Sequence, residues 1–209
     1  MFRNLTPTVR ALLIANLIVY GLEWLTGDRL LYTFALWPWD GDRLYGAPAF
    51  EPWQLVTYAF LHDPASLWHL LGNMFALYMF GPDAEATLGW RRFLFYYFAC
   101  VIGAGLTQLW VVHAIAPGPY DTIGASGGIF GLLLFYGMVF PQRKLVLLFP
   151  PLPWPIPAWL FVTLYAILEL SLGVFGRTQG VAHFAHLGGA ATGLLLILYW
   201  RSVGGPSRR

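Results

Sequence analysis

"TIGASGGIFGLLLFYGMVF", residues 122–140, decides how the chain is read. Gly124, Gly127, Gly128 and Gly131 surround one serine, Ser126, and the remainder is apolar up to Pro141, which ends any helix that starts here. A helix over Ser126–Phe140 rises about 22 Å, short of a hydrocarbon core of about 30 Å. With the Pro141–Lys144 end held at one membrane surface, Ser126 lies below the other. A hydroxyl at the N-terminal end of a buried helix meets backbone N–H groups without intrahelical partners, and these favour negative charge. Taken alone, the stretch reads more readily as an N-cap serine with packing glycines.

The whole chain shares this character. Of 209 residues, 58% are hydrophobic and 11% charged, whereas a soluble domain carries about 25% charge. So few charges cannot cover a water-facing surface, so the solvent is a bilayer. A net charge of +2 is too small to point to nucleic acid. The single Cys100 excludes a disulfide within the chain and a cysteine metal cluster. The opening "MFRNLTPTVRALLIANLIVYGLEWL" is basic but has no A-x-A-like exit, and reads as a retained first span.

The predicted fold class is an all-α polytopic bundle, one membrane domain over residues 1–209. Its six spans cover residues 9–25, 67–80, 93–115, 126–140, 157–175 and 181–200, with Gly and Pro at the joints "APGPYDT", "FPPLPWPIP" and "GRTQG". With the N terminus inside, the inner segments hold Arg3, Arg10, Arg91, Arg92, Arg143, Lys144, Arg201, Arg208 and Arg209. The outer ones hold only Arg29, Arg43 and Arg177. This bias predicts cytoplasmic termini. Asp28, Asp40, Asp42, Glu51, Asp63 and Asp121 fall outside. The long outer connection, with Trp37, Trp39 and Trp53, reads either as an aromatic belt or as a structured loop flanking a site.

Polar residues inside a bilayer are costly and are functional candidates by default. His186 in "AHLGGAATGLLLILYW" lies near the outer start of the sixth span, at the depth of Ser126. Gly189, Ala190 and Gly193 share its face, and small residues let two helix backbones approach closely. A Ser–His hydrogen bond of about 2.6–3.2 Å needs such an approach. His69 and Asn73, four apart in "LHDPASLWHLLGNMFALYMF", offer two donors on one face of the second span. The plainer readings are small-residue packing around a buried histidine, and a His–Asn pair that satisfies itself.

Together these residues resemble the rhomboid family of intramembrane serine proteases, in its compact six-span bacterial type. The family's G-x-S-G is matched by Gly124-Ala125-Ser126-Gly127, its H-x-x-x-N by His69 to Asn73, and its A-H-x-x-G-x-x-x-G by Ala185-His186, Gly189 and Gly193. The resemblance implies a Ser126 nucleophile with His186 as general base, in a pair with no acid. It implies oxyanion donors in His69, Asn73 and the Ser126 backbone N–H, and Phe130 packed on the His186 ring. Glu85 matches the family's acidic residue after the second span, in a structural role. The implied substrates are transmembrane proteins cut in or near their spans, after a small residue, with no cofactor and no metal. The implied location is a bacterial inner membrane, with the site opening outward. There are departures: Trp53-Gln54 stands where the family has Trp-Arg, His62 precedes His69 by seven residues, and His183 is an extra histidine.

Asp121, five residues before Ser126, reads as a solvated turn residue, not a third catalytic group. Rival readings are a non-catalytic rhomboid-like protein that binds and escorts membrane proteins, and a metal or haem protein using His183 and His186. The second lacks an acidic partner or cysteine in the sequence pattern. A transporter is disfavoured because no paired broken helices are visible.

Overall fold

The computed structural model describes residues 5–39, 46–115, 118, 120–146, 154–175 and 181–204. Arg3, Asp40, Asp42, Arg43, Arg177, Arg208 and Arg209 lie outside the described residues. Among the described residues six long helices carry the fold: α1 (Pro7–Thr26), α4 (Leu67–Leu88), α5 (Trp90–Ala114), α6 (Ser126–Val139), α7 (Ala158–Phe175) and α8 (Val181–Ser202). Two short helices, α2 (Arg29–Phe34) and α3 (Gln54–Thr57), lie between α1 and α4. A two-residue antiparallel pair, β1 (Lys144–Leu145) with β2 (Ile156–Pro157), lies between α6 and α7.

Contacts at the helix ends fix their directions. At one end, Glu85 near the close of α4 bonds the start of α1. Arg143, just after α6, pairs with Asp83 of α4, and its carbonyl accepts the N–H of Ala158 at the start of α7. At the other end, Glu23 of α1 accepts the His62 backbone N–H just before α4. There the starts of α6 and α8 meet, and the end of α7 passes Phe184. The long helices therefore alternate in direction. Arg10, Arg91, Arg92, Arg143, Lys144 and Arg201 fall at the first end, and of the described Lys and Arg only Arg29 falls at the second.

Three helices, α1, α5 and α7, are long and apolar enough to cross a membrane, and α6 is a shorter apolar helix. α4 and α8 are each 22 residues long and carry polar residues, His69 and Asn73 on α4 and His183 and His186 on α8. α4 runs past the expected span over residues 67–80, as the helix continues through Pro82 to Leu88. Proline removes one N–H and crowds the preceding turn. Here the extra turns put Glu85 where it holds α1, and Gly81 admits the Val9 side chain, 2.7 Å from where a Cβ would sit.

The core is aromatic. Phe93, Tyr96 and Tyr97 of α5 are fully buried with Leu77 of α4 and Leu132 of α6. The described residues between α1 and α4 pack into structure. Trp37 is buried and stacked on Tyr32. The Gln54 carboxamide accepts from the N–H groups of Trp37 and Glu51, and Trp53 donates to the Thr33 carbonyl at 3.0 Å. Leu36 bridges to Thr122, tying this loop to the segment that leads into α6.

Candidate active site

Ser126 is the first residue of α6, and Ala125 holds the N-cap position without a side-chain cap bond. The N-cap reading of this serine is therefore not what the structure has. Its Oγ lies 2.8 Å from His186 Nε2. Two glycines shape the surroundings of this pair. Gly124 has φ +117°, a conformation L side chains rarely adopt, and a Cβ there would stand 2.7 Å from His69 Nε2. A Cβ on Gly189 would overlap the Gly127 carbonyl oxygen, so the α6 and α8 backbones touch where Ser126 and His186 meet. Gly193 differs from expectation. It faces the Tyr96 hydroxyl and Cys100 Sγ, so it relieves the α5–α8 contact instead of α6–α8. Phe130, one turn below Ser126, lies flat on the His186 ring, with centroids 4.3 Å apart and planes 6° from parallel.

His69 approaches from α4. The Asp63 backbone N–H donates to its Nδ1 at 3.3 Å, which leaves the proton on Nε2, the nitrogen nearest Gly124. Asn73 is buried, and its Nδ2 donates to the His69 carbonyl at 2.8 Å. That bond uses one of two amide hydrogens. The His–Asn relation is thus made through the backbone, and neither ring nitrogen is spent on it. His62 is fully buried, with its ring centroid 5.1 Å from that of His69. Burial, together with the His69 ring, pushes His62 down to about 4, so it is neutral at physiological pH.

One residue was missed by the sequence reading. Glu169 is buried in the second half of α7. Its Oε2 lies 2.9 Å from His186 Nδ1 and 2.7 Å from His183 Nδ1. The resemblance implied a Ser–His pair with no acid, and metal ligation was set aside for want of an acidic partner. Glu169 supplies a carboxylate to both histidines. The signal was present: a lone acid inside "LYAILELSLG" is an intramembrane ionisable residue, a functional candidate by default. One ligand atom from each of Glu169, His183 and His186 lies within 4.8 Å of the others, a donor set that suits a divalent metal by type. The spacing favours hydrogen bonds, because both nitrogens approach a single oxygen at hydrogen-bond distance. Asp121 is exposed and is not among the groups that reach His186.

The family model of the rhomboid domain matches residues 49–202. The chain belongs to the rhomboid family. It is a mostly helical, integral membrane protein. Among curated rhomboid proteins it is 33% identical over 144 residues to "Rhomboid protein 1, mitochondrial" of Saccharomyces cerevisiae, covering 68% of this chain and 40% of the relative. It is 27% identical over 202 residues to "Rhomboid protease GlpG" of Klebsiella pneumoniae, covering 92% and 63%. It is 32% identical over 148 residues to "Putative rhomboid protease YdcA" of Bacillus subtilis, covering 69% of each. The chain thus spans well under two thirds of the mitochondrial relative and somewhat under two thirds of the Klebsiella one.

Proposed function

We propose that this rhomboid is an intramembrane serine endopeptidase, acting on peptide bonds in or near the transmembrane segments of other membrane proteins. The observation that carries the reading is the 2.8 Å approach of His186 Nε2 to Ser126 Oγ, within the reach a general base needs. In the proposed reaction His186 takes the Ser126 proton and Oγ attacks the substrate carbonyl carbon. The resulting oxyanion takes donors from His69 Nε2–H, the second amide hydrogen of Asn73 and the Ser126 backbone N–H. The last has no intrahelical acceptor at the first position of α6. One such donor is typically worth about 2.7–4 kcal/mol. His186 then returns its proton to the leaving amine, and water releases the acyl group by the reverse sequence.

The reading includes one membrane domain over residues 1–209, crossing six times, with both termini on the basic face and the site open to the opposite side. The alternating helix directions and the placement of the described Lys and Arg support it. The test is incubation of the purified protein with a panel of single-span membrane proteins, beside Ser126→Ala and with a fluorophosphonate probe. Cleavage and labelling that both vanish in Ser126→Ala are expected. Cleavage that persists in Ser126→Ala rejects the nucleophile. Absence of both activities in wild type favours the binding and escort role.

A further inference from the structure

The structure assigns Glu169 as the positioning residue of His186: its carboxylate holds the imidazole as the Nδ1–H tautomer, which leaves the Nε2 lone pair facing Ser126. This deepens the proposed protease reading and rests on it. The His186 ring is held from three directions. Phe130 covers one face, Ser126 Oγ meets Nε2 at 2.8 Å, and Glu169 Oε2 meets Nδ1 at 2.9 Å. A carboxylate only accepts, so the imidazole nitrogen beside it carries the proton. Without that acceptor the neutral ring has no fixed reason to keep its proton on Nδ1. The other tautomer would point N–H at the serine and cannot act as base. When Nε2 takes the Ser126 proton, an imidazolium forms whose positive charge faces the Glu169 carboxylate. The Nδ1 proton stays on Nδ1 throughout, and Glu169 itself is not protonated.

Burial supports the assignment. Of the helix α7 only Ala158 and Glu169 are buried, so the one polar group that α7 buries is the group it hands to α8. His183 Nδ1 donates to the same oxygen at 2.7 Å. A carboxylate in a bilayer is expensive to desolvate, and two N–H donors offset part of that cost. His183 thereby anchors Glu169 without touching Ser126.

The experiment uses the full chain, purified and labelled with 15N-histidine, with His186 assigned by comparison with His186→Gln. Wild type and Ser126→Ala are expected to show the Nδ1–H tautomer at His186, and Glu169→Leu to lose it. In the cleavage assay Glu169→Gln, which keeps the shape and removes the charge, is expected to lower kcat by about 10²-fold with KM within about twofold. Glu169→Leu should fall further. Retention of the Nδ1–H tautomer in Glu169→Leu, or a Glu169→Gln kcat within about threefold of wild type, overturns the assignment. A His186 Nδ1 signal that changes on treatment with EDTA also overturns it, by giving the three groups to a metal. If Glu169→Leu does not fold, the tautomer and kcat of Glu169→Gln decide. Cleavage that survives Ser126→Ala would instead sink the protease reading, a result separate from the tautomer measured at rest.

Discussion

Two of the buried glutamates, Glu85 and Glu169, lie at opposite ends of the helix bundle and serve different partners. Glu85, at the basic end, takes the Thr6 hydroxyl and the backbone N–H groups of Thr8 and Val9 at 3.2 and 2.9 Å. Glu169, at the opposite end, takes two imidazole nitrogens. The first carboxylate closes the open turn of a helix: α1 begins at Pro7, which has no N–H, and the next two N–H groups find Glu85. The second grips side chains that can change protonation. Burial of an acid therefore does not mark a reactive site by itself. What the acid holds decides, and backbone partners indicate architecture where imidazole partners indicate chemistry.

The sharpest way to break this contrast is at the reacting pair. Ser126→Ala and His186→Ala are each expected to reduce kcat to background, a loss exceeding about 10⁴-fold, with expression and membrane insertion unchanged. His183→Ala should lose far less, because Glu169 keeps its bond to His186. Activity surviving in His186→Ala but not in His183→Ala would transfer the role of base to His183.

A smaller effect is expected one layer out. Asn73→Ala removes an amide donor that has no basic nitrogen, so it should lower kcat by about 10²–10³-fold and leave KM nearly unchanged. A raised KM with normal kcat would move Asn73 from the oxyanion to substrate binding. Gly189→Leu tests the backbone contact itself. Overpacking costs about 1–3 kcal/mol, and an ångström of displacement between α6 and α8 costs about 10²-fold in rate. Gly193→Leu should instead disturb α5 through Tyr96 and Cys100, with the larger effect on stability and the smaller one on kcat.

These predictions draw unequally on what the sequence made legible. Ser126 and His186 are read as polar residues at the start of apolar runs beside small residues at helical spacing, His69 and Asn73 as two donors four apart on one helix face, and their roles come with the family resemblance. The length of α4 beyond the expected span was not legible, because what its last turns hold is the tertiary bond from Glu85 to α1. Gly193 was placed on the right face, but a helix face does not name its neighbour, and α8 packs against both α5 and α6. Glu169 was legible in principle as a lone acid in an apolar span. Its partner was not, because the distance from α7 to α8 is a property of packing and not of spacing.

The smallest expected effect is at Glu85, and it tests the comparison from its other side. Glu85→Gln keeps one carbonyl acceptor but removes the charge and the second oxygen, while Thr6, Thr8 and Val9 still need acceptors. Losing a helix cap usually costs about 1 kcal/mol, within a range of about 0.5–2. The melting temperature in detergent should therefore fall by a few degrees, since about 1 kcal/mol corresponds to about 2–4 °C in a chain of this size. kcat per folded molecule should not change, because Glu85 lies at the end of α4 opposite His69. Glu169→Gln should show the reverse emphasis, with a large loss of kcat. The measurement is a melting curve and a kcat for each variant in the same detergent. Should Glu85→Gln lower kcat as much as Glu169→Gln does, the two ends are coupled through α4, and the division between an architectural and a chemical carboxylate does not hold.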